Sequence, residues 1–165
     1  MRSPLVFVLG ALLLGSCEEA SQPTADITID FSDEGLGNQS AKAVFEVISR
    51  LVESTEQSLL VRFENGKEAM VFSFLGPNSF NSQVSIDPMD VRFSVNHVVC
   101  NDEQFSLGGF TDLIDRYIEA ARLTDSRPFI VVGFSPVLNL SQAVSYLRTF
   151  SDQGVIHLSL YSTSL

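Results

Sequence analysis

Positive charge is scarce in this sequence: 165 residues carry 10 lysines and arginines against 20 acidic residues, a formal net charge of −10. A surface built to hold nucleic acid has to be basic, because neutralising phosphates supplies much of the affinity, so the balance excludes that class of partner. It argues equally against a polybasic patch on anionic lipid. Cysteine is nearly absent, with two in the chain, and no CxxC pair or cysteine–histidine spacing suits zinc. Histidine is as rare, at His97 and His157. A metal site would need both plus a carboxylate, and their spacing offers none, so no metal and no cofactor is expected. Asp26, Asp30, Asp33 and Glu34 lie close in sequence but do not fit the twelve-residue calcium loop; they read as a solvated acidic edge. Long apolar runs are missing too. The run from Leu5 to Gly15 is roughly half the length a membrane-spanning helix needs, and matches a signal-peptide core.

That run follows Arg2 and closes on the small residues Gly15 and Ser16 before Cys17. Leu14-Gly15-Ser16-Cys17 resembles the bacterial lipobox, in which the cysteine thiol is acylated and the chain is cut just before it. The resemblance implies a lipoprotein signal peptide over residues 1–16 and Cys17 as the lipidation site, carrying palmitate-type chains. It implies residence in the cell envelope, on the periplasmic face, with the membrane as partner through that lipid. One acyl chain binds only marginally, so two or three are expected. Glu18 stands where an aspartate would signal inner-membrane retention, which favours the outer membrane of a Gram-negative cell. The alternative is an ordinary secretory signal with an incidental cysteine. Cleavage removes Arg2 and no acidic residue, so the mature chain is more acidic still. With Cys17 lipidated, Cys100 has no intrachain partner. In "HVVCN" it reads as a half-buried small apolar residue, with an intermolecular disulfide as the lesser alternative.

Residues 17–25 have no periodicity and read as a tether. "DITIDF" alternates, with Ile27, Ile29 and Phe31 on one face, as a half-buried strand does. "SDEGLGNQ" reads as loop. From about Ser40 to Glu53, Ala41, Val44, Phe45, Ile48, Leu51 and Val52 keep the spacing of one helical face, with Asn38 or Ser40 as cap. Asn65-Gly66 between two apolar runs signals a hairpin in which both residues take positive φ. Gly76-Pro77 is the candidate boundary after an N-terminal β-α-β-β segment over residues 26–76.

The second segment, residues 84–165, starts with short strands "VSI" and "VRFSV", the latter with Val91, Phe93 and Val95 on one face. A helix follows with Ser106 as a plausible cap, though Gly108 and Gly109 argue for a start nearer Thr111. Leu113, Ile114, Tyr117 and Ala121 form its stripe. "PFIVVGF" is a continuous apolar run, expected to be a central strand buried on both faces. Asn139 caps a last helix with Leu140, Ala143, Val144, Leu147 and Phe150 inward, and Gly154 ends it in the left-handed conformation. The final strand puts Ile156, Leu158 and Leu160 on one face and His157 on the other. A strand-helix-strand crossover over residues 129–161 should be parallel and right-handed. The fold expected is α+β, a two-layer α/β arrangement: a mixed sheet with helices packed on one face, ending β-β-α-β-α-β.

Residues 84–161, through "VRFSVNHVV", "SLGGFTDLIDRYIEAA", "RPFIVVGFSPVLNLSQAVSYLRTFSDQG" and "VIHLSL", resemble the periplasmic domain of the ExbD/TolR family of biopolymer-transport proteins in order and spacing of elements. Members of that family carry a transmembrane helix with an aspartate used in proton-driven work; this chain has no second apolar run, and Phe134-Ser135-Pro136 replaces the charged residues usual after the buried strand. The resemblance implies a soluble domain remounted on a lipid: a non-enzymatic adaptor or binding module that docks on an envelope motor complex or touches the cell wall. It also implies pairing. The last strand ends in "SLYSTSL" with no lysine, arginine or proline to guard it, so a homodimer through its edge is one expectation. The other is that the strand is internal, or its edge covered by the N-terminal half.

No catalytic set is evident. Gly133-Phe134-Ser135-Pro136-Val137 follows a strand and precedes a helix as a nucleophile elbow does, but lacks the second glycine and contains a proline. Gly108-Gly109 has no following lysine and is not a phosphate loop. A small hydrolase using Ser135 and a histidine, or a solute-binding lipoprotein with a large pocket, are the alternatives to an adaptor.

Overall fold

The structure is a computed structural model, and the description below covers residues 25–80, 87–155 and 157–161. The signal run, the tether up to residue 24, "VSI" and Ile156 lie outside the described residues.

The first alternating stretch forms β1 (Ile27–Asp30). A single helical turn, α1 (Glu34–Gly37), occupies the segment expected as loop. The periodic run becomes α2 (Ala41–Thr55), and the hairpin becomes β2 (Leu59–Glu64) and β3 (Ala69–Phe74). A 3-10 turn covers Pro77–Phe80. The second segment supplies β4 (Met89–Phe93), β5 (Val98–Cys100), β6 (Glu103–Phe105), α3 (Leu107–Leu123), β7 (Ile130–Phe134), α4 (Leu140–Asp152) and β8 (His157–Leu160). The described strands form one eight-stranded mixed sheet in the order β1-β2-β3-β8-β7-β4-β5-β6. The fold is therefore α+β, and β7 and β8 lie at its centre, parallel to each other.

Topology explains why the helices share a face. β4-α3-β7 and β7-α4-β8 step one way across the sheet. β1-α2-β2 steps the opposite way, but its strands also run the opposite way. A right-handed crossover in each case lands every helix on one side. Phe45 of α2 accordingly meets Phe63, Phe74 and Phe134, while Phe110 of α3 and Phe150 of α4 meet Phe93. Val61, Phe63, Phe72, Phe74, Val91, Phe93, Ile130 and Val132 of the sheet belong to a single core cluster with these helices. The opposite face carries Arg62, Glu64, Ser73, Asp90, Arg92, His157 and Ser159 at the alternating positions. So β7 is buried on one face only: Ile130 and Val132 are buried, Val131 half-buried.

Several local expectations are corrected. β8 is not an edge, because β3 pairs with it over Ser73–Phe74 and β7 lies on its other side. The Asn65-Gly66 loop has four residues, with positive φ at Gly66 and not at Asn65. Asn65 instead accepts from the amides of Lys67 and Glu68. The tight two-residue turn is Asn101-Asp102 between β5 and β6, with φ of 48° and 66°. Both residues are among the few non-glycines that tolerate this region. α3 starts at Leu107, not near Thr111, because Ser106 accepts from the Gly109 amide at 3.2 Å and offsets the poor propensity of two glycines. In α2 Leu51 is 39% exposed and Ser49 is buried instead, its hydroxyl turned to Glu53. Val95 lies past the end of β4 and is exposed. Asn139 caps α4 in a reciprocal box with Gln142, and Gly154 takes φ +76° as expected.

The two segments are stitched at the helix starts. Ala41 donates its amide to Leu138, and Leu140 to Gln39, across a bridge between Ser40 and Asn139. Arg148 of α4 pairs with Glu68 of the β2–β3 turn.

Candidate functional site

A cleft of about 510 Å³ opens at the carboxyl ends of β4, β7 and β8, under the first turns of α2. Its position follows from the strand lengths. β3 pairs with β8 only over Ser73–Phe74, with the Leu75 amide donating to Leu158, so Leu160 and Tyr161 run on past the end of β3. Open α/β sheets commonly bind ligands beyond the carboxyl ends of their strands.

Cross-strand register builds the floor. Phe93 and Phe134 are partners across the β4–β7 ladder, with their rings stacked at 5.8 Å. Phe45 of α2 stacks on Phe134 at 4.2 Å, and Tyr146 of α4 stacks on Phe93 at 5.3 Å. Val132 and Leu160, also cross-strand partners, extend this floor. Phe134 is only half-buried because its strand ends there.

One wall comes from the opposite face. The Tyr161 ring packs against Gly133, where a Cβ would sit 2.5 Å from a ring carbon. Only glycine admits that approach. The Arg92 guanidinium lies 5.1 Å from the centre of the same ring. Its Nε donates to the Tyr161 hydroxyl at 3.1 Å, and its Nη2 to Asp90 at 3.3 Å. Lys42 and Glu46, 3.8 Å apart, rim the other side with Ser94 and Ser135. The loops are tied down: Ser135 donates its amide to Phe93, and Ser94 to His97. A second cleft of about 450 Å³ shares Leu160 and lies between Ser49 and Val52 of α2 and Val131 and Ser159 of the sheet.

Ser135 thus lines the cleft, but His157 does not join it. Parallel register sets His157 level with Phe129, six residues before Ser135, a separation of roughly 20 Å along the strands. His157 is exposed on the face opposite the described helices, its pKa held below the usual imidazole value by partial burial first and by Arg127 second. His97 sits in the β4–β5 turn, and among the described residues neither histidine hydrogen-bonds to Ser135. The acidic residues near β1 serve the backbone: Asp26 accepts from Leu60, Asp30 from Ser32 and Asp33 from Gly35. Hydrogen bonds from Ser32 hold the Asp30 carboxyl below its ordinary pKa. No metal-capable cluster exists among the described residues. Cys100 is 2% exposed rather than half-buried, and burial, then Asp90, pushes its thiol up to about 11. Cys17 lies outside the described residues.

Sequence reading missed the Arg92–Tyr161–Gly133 wall. The available signal was a glycine inside a strand otherwise apolar throughout, which often marks a close approach by another group. Comparison with protein-family models, with curated proteins and with solved structures finds no match.

Proposed function

We propose that this chain is a lipid-anchored binding domain of the cell envelope, held on the periplasmic face by acyl chains on Cys17, and acting by binding rather than catalysis. The outer membrane is its site in a Gram-negative cell, following Glu18. The observation that carries the binding reading is the aromatic-floored cleft of about 510 Å³, within the size range of small-molecule sites. The likeness of residues 84–161 to ExbD/TolR periplasmic domains supports an adaptor role, with an envelope motor component or the cell wall as partner. No described helix is long and apolar enough to cross a membrane. The cleft also supports the solute-binding variant of this reading, in which the occupant is a small molecule rather than a protein.

The test is made in cells. The wild type is expected to incorporate labelled acyl chains and fractionate with membranes, while Cys17→Ala remains an unprocessed, unlabelled precursor. Normal processing and labelling of Cys17→Ala would overturn the anchoring. Turnover of ester or peptide substrates by the purified protein, lost in Ser135→Ala, would overturn the non-catalytic reading.

A further inference from the structure

We propose that the cleft at the ends of β4, β7 and β8 binds a single-chain amphiphile: one acyl chain on the aromatic floor, with an anionic carboxylate or phosphate head at Arg92. The inference rests on reading that cleft as the binding site and names the chemistry of its ligand.

The floor is formed by Phe45, Phe93, Phe134, Val132 and Leu160. Its backbone is already committed: β7 is hydrogen-bonded on both sides, to β4 and β8, and the Ser135 amide goes to Phe93. A peptide laid there would bring main-chain N–H and C=O groups that find few partners, and burying such groups unpaired is costly. An acyl chain brings none, and its burial gains with every methylene.

The rim chooses the head. In a chain with twice as many acidic as basic residues, the rim is balanced, with Lys42 paired to Glu46 and Arg92 to Asp90 just outside the lining. Arg92 is held in place at an exposed position: Tyr161 beneath it is seated on Gly133, and its Nε and one Nη2 N–H are engaged by Tyr161 and Asp90. A guanidinium has five N–H donors, so donors remain, in a planar fork that suits carboxylate or phosphate oxygens. Ser94 and Ser135 line the same cleft. The thioether-linked lipid expected on Cys17 has no anionic head, so the cation at the rim favours a separate amphiphile over the protein's own anchor.

The test uses the full chain in membranes, photolabelled with a diazirine analogue of palmitic acid and mapped by mass spectrometry. Label is expected in the peptides containing Phe45, Phe134 or Leu160. Palmitate, or lysophosphatidate if the head is phosphate, should displace it roughly tenfold or more better than palmitoyl methyl ester, the ratio one charge-assisted hydrogen bond supplies. Arg92→Gln, at an exposed side chain, should keep the fold by circular dichroism and lose that discrimination. Label confined to other segments, or equal displacement by the methyl ester in the wild type, overturns the proposal. So does cleft label that appears only in Cys17→Ala, which would make the protein's own lipid the occupant. Each of these results leaves anchoring untouched, since fractionation and processing report on it separately.

Discussion

Ile130 and Val131 are adjacent in β7, yet their aspartate variants should differ sharply. Ile130 is fully buried under the helices, next to Met89 in register. Removing such a branched side chain costs about 2–5 kcal/mol. The aspartate left behind has to stay protonated at neutral pH; a buried carboxyl shifts up by as much as 3–5 units, each worth about 1.4 kcal/mol. The sum, upwards of about 6 kcal/mol, is comparable to the whole stability of a small domain, about 5–15 kcal/mol. Val131 faces the other way, half-buried between Asp90 and Ser159. Its replacement loses a β-branched residue, about 1 kcal/mol, and sets a carboxylate beside Asp90, roughly 0.2–1 kcal/mol more. With a urea slope of about 1–3 kcal/mol/M, the Val131→Asp midpoint should fall by about 1 M while Ile130→Asp should not fold cooperatively. Urea titration followed by circular dichroism reads both. Equal damage from the two substitutions would refute a sheet covered by helices on one face. A cooperatively folded Ile130→Asp with a midpoint near wild type would refute the central position of β7.

The buried Cys100 thiol, pushed up to about 11, should resist disulfide reagents in a folded Cys17→Ala chain and react only on unfolding; rapid native labelling would contradict its burial. His157 has a lowered pKa in the fold, so the unfolded chain takes up its proton first. The stability it contributes is complete above the ordinary imidazole value of about 6.5 and is lost as pH falls through the lower folded value. His157→Gln should flatten that acid-side decline, and an unchanged slope would refute the assignment. A Cβ at Gly76 would lie 2.6–2.9 Å from backbone atoms of Gln57. Gly76→Ala should therefore cost about 1–3 kcal/mol by forcing the chain apart, and a wild-type urea midpoint would show that the contact relaxes freely.

What could be read from sequence was whatever repeats at the period of an element. Phe45, Ile48 and Val52, or Ile130 and Val132, announce a buried face by spacing alone, and Asn139 with Gln142 announces a helix start by local hydrogen bonding. Strand order depends on pairings distant in sequence. Nothing local in "VIHLSL" says that β3, more than eighty residues earlier, will lie against it. The tight turn at Asn101-Asp102 was hidden because β6 is three residues long and has little apolar pattern to mark it. The cleft was hidden for a related reason. Phe45, Arg92 and Phe134 come from three elements and Tyr161 from just past a fourth, and each residue alone reads as core or surface. Gly133 was visible, but as a turn signal; only the Tyr161 ring against it gives it a role.

The interior placement of β8 changes where a second copy of this chain could add. Among the described strands the outer ones are β1 and β6, of four and three residues. β1 ends in Asp30, and β6 begins with Glu103. Short edges with carboxylates resist pairing, since a second copy opposes like charges. A homodimer would then not use the edge of β8, and Ser159→Pro becomes a test of the sheet instead of the interface. Ser159 is 7% exposed and pairs with Val131 of β7, where proline lacks the N–H and does not fit. The substitution should lower the urea midpoint markedly and leave the sedimentation coefficient of the remaining folded fraction unchanged. A Ser159→Pro protein as stable as wild type, converted from dimer to monomer, would return β8 to the edge and refute the strand order.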